Sequence, residues 1–175
     1  SKLRTMTLCC LLALSILISV FARPVSSLSS ATTILIRIDS VIDYKTVDLV
    51  DEAGKDIKEG RALALIIQLN SGTGYLSPTL NIVNKIRALN ITTITYIGPK
   101  GAVASAYAAY LAMAGQVLAM NEGTAIGMAR IAPTDSGEAN SLMNLMRELA
   151  TSRGRNAEAS ERMVIDNVAY SAEEA

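Results

Sequence analysis

Two loops hold most of the chemistry this sequence offers. "NSGTG", residues 70–74, follows the apolar run "ALALIIQL" and precedes the amphipathic "LSPTLNIVNKIRAL". A buried strand, a tight loop and a helix start have that signature, and such a loop aims backbone N–H groups at one point. "GPKGAVAS", residues 98–105, follows another apolar run; it contains Lys100 and ends in Ser105. The chain has no histidine. That removes the Ser-His-Asp triad, the Cys-His dyad and every histidine-based metal site. Its only cysteines, Cys9 and Cys10, are adjacent in an apolar run, so neither a disulfide framework nor a thiolate cluster is expected. A metal-free hydrolase built from this sequence would use Ser or Thr as nucleophile and Lys, a carboxylate or a terminal amine as base. No cofactor and no metal are expected.

The first loop could hold a phosphate, an oxyanion or nothing. Its G-x-G, Gly72 and Gly74, lacks a third glycine, because Ser77 stands at that place. A dinucleotide site also wants the loop after the first strand, with an acid near the end of the next. Here it follows the second strand, the next strand ends in "YIGPK", and no Walker motif is present. The oxyanion reading instead gives the N–H groups of Thr73 and Gly74 a developing negative charge to stabilise, with a nucleophile supplied by the second loop.

The elements that must position these loops follow from periodicity. "TILIRID", 33–39, reads as a strand, and 43–59 as a helix with Tyr44, Val47, Val50, Ala53 and Ile57 at helical spacing. Strands are predicted at 62–69, 91–97 and 116–120. Helices are predicted at 76–89, with Pro78 in the first turn, and at 102–115, a run of small residues. "NEGTAIGMA" reads as a loop with an extended piece, and 137–154 and 156–168 as two closing helices. Alternating strands and helices mean a mainly parallel α/β sheet with right-handed crossovers, which gathers both loops at the carboxyl ends of the strands. The 175 residues suffice for one domain, and half are hydrophobic with few aromatics, which suits helices packed tightly on a sheet. Lys plus Arg equals Asp plus Glu at 16 each with no basic block, so nucleic acid is not an expected partner.

At the amino end, Lys2 and Arg4 precede an apolar run from Leu8 to Ala22, with Val20 and Ala22 at the −3 and −1 positions of a cut before Arg23. This layout predicts a secretory signal peptide at 1–22, with an uncleaved anchor as the alternative. Either way the rest of the chain is expected on the non-cytoplasmic side, after a Ser-rich linker at 23–31. The start without Met and the end at "SAEEA", which reads as a helix start, predict a truncated chain.

Three stretches carry a family resemblance: "IRIDSVIDYKTVDLVDEAGKDIKEGRALALIIQLNS", "NIVNKIRALNITTITYIGPKGAVASAYAAYLAMAGQVLAMNEGTAIGMA" and "RELATSRGRNAEASERMVIDNVAYSAEEA". With "LIIQLN", "MNEGTAIG" and "GRNAE" in family order, the chain from residue 32 to 175 resembles the N-terminal ClpP-like serine protease domain of the NfeD family. The resemblance implies a ClpP/crotonase fold, a membrane-associated protein, a Ser-Lys dyad cutting apolar membrane-protein segments, and stomatin-like partners. It also implies a T-P-G-G oxyanion loop, a nucleophile within G-A-x-A-A-S-A-G, and a lysine after the "IG" segment.

This sequence departs from the family at each element. Ser71, Gly72, Thr73 and Gly74 stand in place of T-P-G-G. An ungapped register from Pro99 puts Ala106 at the family serine, with Ser105 its neighbour; on a helix that neighbour would point about 100° away. Counting back from "GRN" puts Gly137 at the family lysine, three before the matching Asn140, and no Lys lies between Gly127 and Arg147. Arg130 cannot act as base, because guanidinium does not deprotonate in proteins. Lys100 reads as a solvated turn residue, Asp135 and Glu138 as helix-start charges, and Arg153 with Arg155 as a helix-end cation pair. Met143, Met146 and Met163 read as core or oligomer surface. The expectation is an impaired dyad on a scaffold that binds an extended apolar peptide or joins a membrane complex, as a homo-oligomer. Two alternatives stay open: an active endopeptidase using Ser105, and a crotonase-like pocket holding a carbonyl on Thr73 and Gly74.

Overall fold

The computed structural model describes residues 32–131 and 136–175. The predicted signal segment and linker lie outside them. Four parallel strands, β1 (Thr33–Ile38), β2 (Ala64–Leu69), β3 (Thr92–Ile97) and β5 (Val117–Met120), form one sheet in the order β1-β2-β3-β5. A second sheet takes β4 (Val103–Ser105), β6 (Ala125–Gly127) and β7 (Ala169–Ser171), with β4 parallel to β6 and β7 antiparallel. Among the described residues, five helices join them: α1 (Tyr44–Lys58), α2 (Leu76–Ala88), α3 (Tyr107–Ala114), α4 (Ser136–Ser152) and α5 (Ala157–Ile165).

Sequence chemistry explains these elements. Period-two burial marks the strands: Leu65, Ile67 and Leu69 are inaccessible to solvent, while Ala64, Ile66 and Gln68 are half-buried. They align with Thr93, Thr95 and Ile97 of β3, also buried. Thr95 satisfies its hydroxyl on the Ala112 carbonyl of α3 at 2.6 Å, which permits a polar group in the core. Asp43 caps α1, accepting from the N–H groups of Lys45 and Thr46, and the Asp43 N–H donates in return to Thr46 Oγ1. Helix α3 is buried along nearly its whole length because six of its eight residues are Ala or Tyr packed tightly on all sides. Gly115, just past its end, lies so close to Thr95 that a Cβ there would stand 2.7 Å from Oγ1.

Arg153 and Arg155 finish that helix. Arg155 donates to the carbonyls of Met113 at 2.6 Å and Gly115 at 2.7 Å, and Arg153 to Ala114 at 3.3 Å. The pair thus serves as the expected helix-end cations, on α3. Burial, and secondarily the charge of Arg153, lowers the Arg155 pKa from its ordinary value.

The expected helix over 102–115 is corrected by the structure. Val103–Ser105 is strand β4; the helix begins only at Tyr107. Pairing with Ala125–Gly127 and a bridge from Ala104 to Ser71 outweigh the helical propensity of the alanines. The expected helix start at "SAEEA" is also replaced, by the end of β7 and a turn in which the Ser171 N–H donates to Glu174 at 2.8 Å.

Candidate active site

Strand β4 ends at Ser105, and the chain turns on Ala106 into α3. Ala106 has φ 45 and ψ −115, a conformation L-residues rarely adopt, at a cost on the order of 1–3 kcal/mol. A sharp strand-to-helix turn that presents one strained residue at its tip is how hydrolases of another fold expose a nucleophile. Here the tip is a methyl group. The Ala106 N–H is committed to the Met128 carbonyl at 3.1 Å.

The strain is not isolated. Among the described residues, the non-glycines with positive φ are Ala106, Met128 and Asn167, and all three meet at this junction. Met128 donates its N–H to the Val168 carbonyl at 2.7 Å, and the Arg130 N–H donates to Asn167 Oδ1 at 3.3 Å. Gly127, at φ 137, packs so closely that a Cβ there would lie 2.3 Å from the Val168 carbonyl oxygen. Elbow, β6 end and the turn before β7 therefore hold one another in place.

Strand geometry also changes the relation of Ser105 to Ala106. Ser105 belongs to β4, so the step between them is not the helical rotation expected from sequence. The Ser105 hydroxyl lies over Gly72, where an added Cβ would stand 2.2 Å from Oγ. Among the described residues it makes no hydrogen bond to a lysine. Lys100 Nζ lies 3.3 Å from the Glu122 carboxylate, both side chains mostly exposed, in a turn closed by the Ala102 N–H on the Pro99 carbonyl. Lys85 pairs with Asp51.

The first loop is clamped from two sides. The Ser71 N–H donates to Val103, and the Ser105 N–H to Ser71, tying the loop to β4. The Ile42 N–H donates to Thr73, and the Tyr75 N–H to Ile42, tying it to the start of α1. Ser71 Oγ donates to the Ser40 carbonyl at 2.6 Å and receives the Thr73 N–H at 3.4 Å. Thr73 has no positive φ. Gly74 approaches Ile42 so closely that a Cβ would stand 2.8 Å from the Ile42 Cβ. Of the two predicted oxyanion donors, Gly74 keeps an N–H with no hydrogen bond among the described residues, while that of Thr73 is engaged. Gly137 lies in the first turn of α4, where its carbonyl accepts from Ser141. No cluster of three or more His, Cys, Asp or Glu that could hold a metal occurs among the described residues.

Sequence reasoning missed the elbow, and it missed Met128. The signal was Val103, a β-branched residue at the head of an alanine run, opposite "AIG" in "NEGTAIGMA".

Tyr110 supports the junction from below. Its hydroxyl donates to the Ala129 carbonyl at 3.2 Å, and burial raises its pKa well above the ordinary tyrosine value. Below pH 10 both folded and unfolded chains hold this proton. Above it the unfolded chain releases the proton first, so stability falls as pH rises. Tyr110→Phe is expected to lose less stability than wild type between pH 8 and pH 11, read from urea midpoints; equal losses would contradict this role.

No family model matches the chain. It is 28% identical over 173 residues to the membrane-bound protease PH1510 of Pyrococcus horikoshii, a match covering 93% of this chain and 39% of that protein. Among solved structures it resembles the 1510-N membrane-bound stomatin-specific protease. A serine-to-alanine mutant superposes with a TM-score of 0.75 at 28% identity, covering 82% of this chain and 74% of the other. A lysine-to-alanine mutant in complex with a substrate peptide gives 0.76 at 27%, covering 84% and 72%. The chain is homologous to this protease and shares its ClpP-like α/β fold. The relative is membrane-bound; among the described residues here no helix is long and apolar enough to cross a membrane.

Proposed function

We propose that this chain is an NfeD-type, membrane-associated protease-like domain that holds an extended apolar peptide without cutting it. The observation that carries this reading is the elbow: a strained backbone with its supports is present, but the tip is Ala106. A nucleophile there would need a hydroxyl and a neutral amine. The position that the family resemblance gives to the lysine is Gly137, and Lys100 is engaged with Glu122. Two further features support a peptide site. The Gly74 amide is unengaged, and exposed Val41, Tyr44 and Tyr75 on one side and Met128 on the other offer apolar surface to a bound chain. The homologous fold holds a substrate peptide in the stomatin-specific protease, which supports a stomatin-like membrane protein as the source of the peptide. In this reading the domain lies on the non-cytoplasmic side, in a homo-oligomer.

A second reading, endopeptidase activity through Ser105, is favoured by one observation: the Ser105 hydroxyl lies against the oxyanion loop at Gly72. One experiment separates the two. A fluorescently labelled extended apolar peptide is titrated with the folded chain, and the peptide is then recovered and weighed by mass spectrometry. Saturable anisotropy with intact peptide is expected. Cleavage that disappears in Ser105→Ala would overturn the binding-only reading.

A further inference from the structure

The turn from α2 into β3 carries a motif that the site does not use. Asn90, Ile91 and Thr92 form N-x-T with a residue other than proline at the centre, and no other asparagine of the chain has Ser or Thr two places on. Leu89, in extended backbone, and Ile91 both pack against the core. Alternation along the chain then turns Asn90 and Thr92 outward together, about 6.6–7 Å apart on one face. Both residues are exposed. Other asparagines have structural work: Asn70, Asn121, Asn156 and Asn167 each accept a backbone N–H through Oδ1. The Asn90 amide and the Thr92 hydroxyl make no hydrogen bond among the described residues. The position also has room for a large addition. Strand β3 runs six residues, roughly 20 Å, from Thr92 to Ile97, and both site loops leave the sheet at the opposite, carboxyl end. A bulky group on Asn90 therefore stands clear of Ala106 and Gly74.

We infer that Asn90 is an N-glycosylation site, taking an oligosaccharide from a lipid-phosphate carrier. The inference rests on the non-cytoplasmic placement proposed above, because that is the side on which such a chain meets the transferase. In the transfer, Asn90 Nδ2 forms a bond to C1 of the first sugar and the bond from C1 to the carrier phosphate breaks. The lipid phosphate leaves with the bonding pair, and the amide proton passes to a base of the transferase. Thr92 is part of the acceptor because the motif is read at the hydroxyl two residues on. An exposed turn gives the transferase access to both groups without opening the core.

The test uses the full-length protein purified from the membranes of the organism that encodes it. Tandem mass spectrometry reads the peptide containing Asn90, and protease digestion of intact against lysed cells reads the side on which the domain lies. Thr92→Ser keeps the motif and Thr92→Val removes it; circular dichroism checks the fold of both. Wild type and Thr92→Ser are expected to carry a mass addition on Asn90 that fragments into sugar units, and Thr92→Val to carry none. An outward-facing domain with bare Asn90 would overturn the modification and leave the placement standing. So would an addition that persists in Thr92→Val. A domain protected inside intact cells, with bare Asn90, would overturn both.

Discussion

Gly127→Ala is expected to cost about 3 kcal/mol or more. Two effects add. A Cβ at this position would stand 2.3 Å from the Val168 carbonyl and 2.7 Å from the Ala169 Cα, both backbone atoms that cannot swing aside. The φ of 137 also lies where only glycine is unstrained. Relief requires β7 to move off β6, and that movement takes the Met128 N–H away from Val168 and loosens the carbonyl that holds Ala106. Peptide binding should therefore fall together with stability. Urea denaturation gives the first number and anisotropy the second. A loss below 1 kcal/mol would show that the junction yields more easily than its geometry indicates.

Ala106→Ser carries the second large effect. It adds one hydroxyl at the tip of a turn whose backbone already has the conformation a nucleophile elbow needs. The single variant lacks a base, so turnover should stay near background. Adding Gly137→Lys, at the position the family resemblance gives to the lysine, is expected to raise peptide hydrolysis about 10²–10⁴-fold over the single variant, the range of a positioned general base. Hydrolysis by the single variant equal to that of the double would show that another group supplies the base. Both chains must first show wild-type circular dichroism, because Gly137 sits in the first turn of α4.

Most of the fold was legible in the sequence because its strands and helices are strongly periodic. "ILIRI", "ALIIQL" and "TTITYI" fall within one or two residues of β1, β2 and β3, and the Asp43 cap marks the start of α1. The elbow was not legible. "AVASAYAAYLAMA" carries no alternation, and alanine favours helix, so the strand at Val103–Ser105 is visible only through its distant partners at Ser71 and Ala125–Gly127. Strand β7 was hidden for the same reason: its pairing with β6 is long-range. The site residues were legible as types, not as geometry. Ala106 could be placed by register, but its φ of 45 and its bond to Met128 belong to tertiary structure. Met128 gave no local sign, since a left-handed methionine has no sequence signature.

The claim that this domain binds without cutting is tested most directly by serine-directed fluorophosphonate labelling of the folded wild-type chain beside Ser105→Ala. With a methyl at the elbow and no lysine among the described residues bonded to Ser105, the account predicts no labelling of either protein. Wild-type labelling that vanishes in Ser105→Ala would contradict it and identify Ser105 as a live nucleophile.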